Sequence, residues 1–121
     1  MSPRQLHRWW IVTAVYAGLI FIVSVIPVSP SLSPGHLDKV AHLCEYLLFS
    51  WLLVQALRAG GARQREYFIL AWIYAASYGL LIEIVQAVIP WRSAELGDAV
   101  ANGAGAALGV WIGRYFPRHG V

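Results

Sequence analysis

The sequence predicts an all-α integral membrane protein, a four-helix bundle with its N- and C-termini in the cytoplasm. Three observations predict it. Apolar residues make up 59% of the 121 and charged residues only 12%, against roughly a quarter charged in an ordinary soluble domain. The apolar residues fall into four stretches, each long enough to cross a roughly 30 Å hydrocarbon core, separated by segments rich in Pro, Gly or charge. The basic residues gather on one side of that pattern. A soluble bundle of this length would need more polar side chains than the chain has to cover its surface, so the excess apolar surface calls for lipid.

The whole chain, residues 1–121, reads as one domain. Span one is expected from about Trp9 to Ile26, free of charge, with Trp9 and Trp10 placed like an interfacial aromatic belt. Arg4 and Arg8 before an apolar core also fit a signal peptide. The apolar run is long for that role and no small-residue cleavage site precedes Pro27, so an uncleaved first helix is expected. The Pro- and Ser-rich segment from Pro27 to Pro34 cannot continue a helix and reads as an ordered loop. Span two is expected from about Val40 to Leu57, followed by a tight turn at Ala59-Gly60-Gly61-Ala62. Span three runs from about Tyr67 to Ile89 and stops at Pro90, and span four from about Leu96 to Phe116.

Arg4, Arg8, Arg58, Arg63, Arg65, Arg114 and Arg118 flank one set of helix ends, and only Lys39 and Arg92 the other. That bias places both termini and the middle loop inside, and the loops 27–38 and 90–97 outside. The net charge of +3 comes from basic residues scattered singly, with no stripe that would hold nucleic acid, so no nucleic-acid partner is expected. The single cysteine, Cys44, excludes an internal disulfide and is expected to be a buried, inert thiol.

The acidic residues break the other way. Asp38, Glu45, Glu83, Glu95 and Asp98 belong to the outer half, and only Glu66 to the inner side. An ionisable group inside a span costs on the order of 3 kcal/mol on lenient insertion scales, so these groups must pair, neutralise or face water. Asp38, His42, Glu45 and Phe49 recur at i, i+4, i+7 and i+11. Glu83 and Gln86 share a face with Ala76 and Gly79, and Asp98, Asn102, Gly105 and Gly109 repeat the first pattern. By helical rise, Glu45, Glu83 and Asn102 each lie roughly 7–10 Å below the outer end. Three helices therefore bring polar faces to one level.

Gly105, Gly109 and Gly113 form a double G-x-x-x-G, a spacing that lets helix backbones approach closely. It serves helix packing, either against spans two and three or at a homodimer seam.

Several of these residues carry a resemblance to the VanZ-like family of bacterial membrane proteins, named for a teicoplanin-resistance protein. The stretch Asp38-Lys39-Val-Ala-His42-Leu-Cys-Glu45-Tyr46 resembles that family's Asp-Lys, His and aromatic at the head of a helix. Glu83, Gln86, Pro90 and Arg92 match its Glu-x-x-Gln-x-x-x-Pro-x-Arg, and Glu95, Asp98, Asn102, Gly105 and Gly109 its closing acid, Asp-x-x-x-Asn and glycine-rich helix. The likeness covers about Asp38 to Gly113. It implies a multi-pass protein of the bacterial cytoplasmic membrane with its motif loops outside, and for some members a link to glycopeptide tolerance, teicoplanin more than vancomycin. It supplies no mechanism.

Three readings of the polar cluster follow. In the first, an outward pocket binds a lipid headgroup or a lipid-linked cell-envelope precursor: Lys39 and Arg92 would hold anionic groups, and Asp38, Gln86, Glu95, Asp98 and Asn102 would complete the site. In the second, the chain is an enzyme modifying such a lipid, with His42 and Glu45 or Glu83 as acid and base. In the third, the polar network only holds the bundle together. His42, Glu45, Glu83 and Asp98 are acceptable metal ligands, but they lack a diagnostic short spacing, and neither metal nor cofactor is expected.

Overall fold

In a computed structural model of the chain, the described residues are 3–26, 35–61, 63–91 and 96–115. They form four helices: α1 (Pro3–Val25), α2 (Gly35–Ala59), α3 (Gln64–Ala87) and α4 (Leu96–Tyr115). α1 starts six residues before the expected apolar edge. Pro3 sits in its first turn, where a missing N–H is harmless, and His7 Nδ1 lies 2.8 Å from the Pro3 carbonyl. α2 also starts early, so Lys39 lies within the helix.

The α2–α3 turn closes on Gly60 and Gly61. The N–H of Gly60 donates to Ala56 O and that of Gly61 to Arg58 O, both at 3.1 Å. Gly61 takes φ +82, the left-handed value that a side chain disfavours. α3 ends at Ala87, three residues before Pro90, in a short turn where Val88 and Ile89 donate to Val85 and Gln86.

Packing shows how the chain runs. Trp9 meets Trp51 edge-on at 5.9 Å, Thr13 Oγ1 donates to Leu52 O, and Tyr16 OH donates to Glu45 O at 2.9 Å, so α1 and α2 are antiparallel. α4 runs parallel to α2: Asp98 stands beside Lys39 at one end and Gly113 beside Val54 at the other. This is the most intimate helix pair. α2 and α3 touch every other helix, whereas α1 and α4 do not meet.

The glycine stripe makes that intimacy possible. A Cβ added at Gly105 would land on the Leu43 carbonyl, and one at Gly109 on Leu47 O and Ser50 Oγ. Gly105, Gly109 and Gly113 are buried against α2 of the same chain. A homodimer built on this stripe would first have to part α4 from α2.

Apolar side chains such as Tyr46, Val54, Ala71 and Ile82 fill the core, polar ones are buried among them, and the outside is apolar. Thr13, Ser24, Ser50, Gln55, Glu83, Gln86, Asp98 and Asn102 are buried, while Ile11, Val15, Leu80, Ile84 and Val100 each show more than half their surface. Water would disfavour such a surface and lipid favours it. The protein is therefore a multi-pass membrane protein. Three helical segments are long and apolar enough to cross: Pro3–Val25, Lys39–Ala59 and Glu66–Ala87. α4, expected as a fourth span, is 20 residues long but is not among them. Its inner stripe of Asp98, Asn102 and glycines dilutes its apolar character.

Cys44 corrects an expectation. Its thiol is exposed, on the outward stripe of α2 that includes Val40 and Leu48, because α1, α3 and α4 cover the other sides of the helix.

Candidate functional site

The site begins where α2 and α4 start side by side. Lys39 Nζ donates to Asp98 Oδ1 at 3.2 Å, and His42 Nε2 lies 3.8 Å from Asp98 Oδ2. Lys39 and His42 are three residues apart and so share one helix face, the one that meets α4. The pair is asymmetric: the Asp98 side chain is 6% exposed, that of His42 14% and that of Lys39 42%. The cation stands at the mouth and the carboxylate beneath it.

One turn deeper lie Tyr46 and Asn102, both essentially inaccessible. They meet at Gly79 of α3, where an added Cβ would stand 3.1 Å from Asn102 Cβ, Asn102 Nδ2 and Tyr46 Cε1 alike. The absent side chain at Gly79 is what lets the three helices converge. Neither amide atom of Asn102 nor the Tyr46 hydroxyl has a hydrogen-bond partner among the described residues. Glu83 follows Gly79 by one turn on the same face and is buried, and both it and Glu45 are close enough to Tyr46 to act on it electrostatically.

The predicted residues do not all point into one pocket. His42 turns to α4, while Glu45 lies among the tyrosines of α1, α2 and α3, near enough to Tyr16, Tyr46 and Tyr78 to act on each. Three residues along a helix advance the side chain to about 60° from its start. On a helix packed against three others, that is enough to change neighbours. Gln86 faces α1, with Nε2 donating to Ser24 O at 3.0 Å. Phe49, the last member of the predicted stripe, packs against Tyr16, Tyr46 and Tyr78. Arg92, Glu95 and the side chain of Asp38 lie outside the described residues. Among the described residues, no three metal-ligating side chains come together.

The central residue missed as a site candidate is Tyr46. It follows His42 by four, and only its aromatic character spoke against a polar role. Ser50 continues the stripe by another four, and its hydroxyl donates to Leu47 O at 3.2 Å where Gly109 passes.

The opposite end is built differently. Arg58 Nη2 donates to Gly113 O at 3.0 Å, Arg58 Nε to Tyr67 OH at 3.4 Å, and the guanidinium lies 5.1 Å from the Tyr67 ring centre. This arginine ties α2, α3 and α4 together, with its Nη1 buried and without a hydrogen-bond partner among the described residues.

The arrangement offers a half-exposed cation over a buried carboxylate, an imidazole beside them, and deeper polar atoms with hydrogen-bonding capacity to spare. Such a layer can hold a polar or anionic group delivered from the membrane surface. The family model VanZ/LLP1 matches residues 3–117, almost the entire chain. Comparison with curated proteins and with solved structures gives no match.

Proposed function

The chain belongs to the VanZ/LLP1 family, and on that premise we propose that it binds the headgroup of an envelope lipid at the Lys39–Asp98 end of its bundle. In this reading α4 is the fourth crossing: it is about 30 Å long at 1.5 Å per residue and lies lengthwise along α2. The arginine-rich ends, with both termini, face the cytoplasm of a bacterium, and the Lys39 end faces outward from its inner membrane.

The observation that carries the reading is the unused hydrogen-bonding capacity of Asn102 and Tyr46 beneath Lys39 and Asp98. Buried polar groups in native proteins are nearly always paired. Among the described residues, Gln55 Nε2 and Arg58 Nη1 are also unpaired elsewhere in the bundle, but three such atoms belong to Tyr46 and Asn102, which meet at Gly79. A phosphate or sugar hydroxyl entering past Lys39 would use them. The glycopeptide tolerance implied by the family resemblance, to teicoplanin more than to vancomycin, fits a protein that retains a lipid-linked envelope precursor there. A second reading, an acid–base enzyme acting on such a lipid, draws on the His42–Asp98 pair, with Asp98 as the carboxylate beside the imidazole.

The test is native mass spectrometry of the purified protein with a polyprenyl diphosphate and with its neutral polyprenol. Lys39→Gln and Asn102→Ala should each weaken retention of the diphosphate about fivefold or more, while unfolding remains cooperative. Retention at the wild-type level in both variants would sink the binding reading. Collapse of both folds would favour the structural one, and a chemically altered lipid would favour the enzyme.

A further inference from the structure

A second feature lies at the other end of the molecule, on the face between α3 and α4. Phe68, Ile69, Trp72, Ala107 and Val110 line an open apolar groove of about 350 Å³. Its floor on α4 is set by spacing. Gly103, Ala107, Val110 and Arg114 recur at i, i+4, i+7 and i+11, one stripe of the helix. The two ends of the groove differ. Toward the middle of the bundle, Trp72 Nε1 donates to Gly103 O at 3.2 Å and ties α3 to α4 across the slot. Toward the arginine-rich end, the Arg114 guanidinium stands 5.9 Å over the ring of Phe68, a lining residue, and 5.6 Å from the ring of Tyr115. Arg114 is exposed and has no ion-pair partner among the described residues.

We infer that this groove binds an anionic phospholipid of the leaflet at the arginine-rich face, its phosphate on Arg114 and the first part of one acyl chain between Phe68, Trp72, Ala107 and Val110. The charge chooses this occupant. An apolar slot alone would accept any chain, or a helix of a second copy. A slot bridged by the Trp72–Gly103 hydrogen bond toward the bilayer centre, and bearing at its other end a guanidinium with no ion-pair partner among the described residues, matches the lipid's own order, phosphate outside and hydrocarbon within. Arginine suits phosphate through its planar, bidentate donors, and stacking on Phe68 and Tyr115 fixes its plane. The stem of Arg114 can lie along the apolar wall while its head stays at headgroup level. The exposed Trp72 ring forms the far wall. Only the naming of this leaflet as cytoplasmic rests on the proposed topology.

The probe is retention, in native mass spectrometry from detergent, of phosphatidylglycerol against phosphatidylcholine with the same acyl chains. The wild-type protein should keep phosphatidylglycerol preferentially. Arg114→Gln should reduce that preference about fivefold, the factor given by about 1 kcal/mol per basic residue at an anionic surface. Ala107→Trp, which fills the slot at an exposed position, should lower retention of both lipids. Val15→Ala, on the exposed side of α1 and in neither site, should change neither. A preference unchanged in Arg114→Gln, or retention unchanged in Ala107→Trp, overturns the inference. So does a lipid-free dimer as the species that Ala107→Trp abolishes, because a second copy would then be the occupant. A preference lost in Lys39→Gln but kept in Arg114→Gln would move the lipid to the other site, overturning this inference and supporting the proposed function.

Discussion

Asp98 and Lys39, 59 residues apart in the chain, stand 3.2 Å from each other at the shared head of two parallel helices, with the carboxylate buried and the ammonium half in the open. Their inequality sets what each mutation does. Removing Lys39 leaves the buried carboxylate with only His42 beside it among the described residues, 3.8 Å away, whereas removing the charge of Asp98 leaves a lysine that can turn outward. Breaking a fully buried pair from one side costs about 3–5 kcal/mol, and the exposure of Lys39 reduces that. Lys39→Gln should therefore destabilise by about 1–2 kcal/mol and Asp98→Asn by less. Reversible unfolding in bicelles ranks the two, and the opposite ranking would show that Lys39 depends on the pair more than Asp98 does.

The α2–α4 seam should be the most sensitive surface in the molecule to small increases in size. An added methyl at Gly105 meets main chain, the Leu43 carbonyl, which cannot rotate away. Gly105→Ala should lose about 2–3 kcal/mol, the upper range for overpacking. At Gly103 nothing lies within 4 Å of an added Cβ, and the hydrogen bond from Trp72 uses only its carbonyl. Gly103→Ala should be neutral or stabilise by roughly 0.5–1 kcal/mol, the advantage of Ala over Gly in a helix. The same unfolding measurement compares them, and equal losses would show that the stripe does not pack against α2.

Tyr46 separates stability from binding. Its hydroxyl is buried without a hydrogen-bond partner among the described residues, so deleting it removes a desolvated polar group and no bond. Tyr46→Phe should leave stability unchanged or raise it by up to about 1 kcal/mol. In the proposed function it should also weaken retention of a lipid diphosphate. A loss of more than about 1 kcal/mol would mean that the hydroxyl has a protein or water partner that holds the core.

α1 is the helix most easily released, because it packs on α2 and α3 alone. Its ties to α3 are Tyr78 OH to Ala17 O at 2.6 Å and Gln86 Nε2 to Ser24 O at 3.0 Å, and in the turn after α3 Trp91 Nε1 donates to Val25 O at 2.8 Å. Hydrogen bonds between membrane helices average about 0.6 kcal/mol. The Tyr78→Phe, Gln86→Leu double variant should thus lose about 1 kcal/mol. Hydrogen exchange should quicken in residues 3–25 before it does in α2 or α4. Uniform quickening throughout the bundle would contradict a separable α1.

The helices and their polar level could be read from the chain because both follow from local rules. Charge-free stretches set the spans, and the recurrence of Asp98, Asn102, Gly105 and Gly109 set the inward face of α4, all four of which are helical and buried. The neighbour of each polar group could not be read, because that depends on how four helices are arranged around one another. Spacing alone groups His42 with Glu45, but α2 turns them toward different helices. Tyr46, matched only as the motif's aromatic, is not read as a site residue because a buried aromatic residue is usually core. Its place in the polar layer shows only when Gly79 and Asn102 arrive beside it from two other helices. Helix starts were misplaced by several residues in α1 and α2, since hydrophobicity marks where lipid begins and not where the backbone starts to coil.

Cys44 offers the most direct test of immersion. It shares the outward stripe of α2 with Val40, 55% exposed, and Leu48, 42% exposed. Its position, five residues past Lys39, puts it roughly 7–8 Å further along the helix axis than the Lys39 backbone. In a soluble bundle the thiol would face water, and in a membrane span it faces acyl chains. A nitroxide attached to this single cysteine in vesicles should relax faster with dissolved oxygen, which concentrates in hydrocarbon, than with a water-soluble nickel chelate. The order should reverse for a label moved to exposed Arg63 by Cys44→Ala, Arg63→Cys, since that position lies in the α2–α3 turn. Equal access of the nickel chelate to both positions would remove α2 from the bilayer. The parallel α4 would leave with it, because the glycine stripe gives the two helices a single common surface.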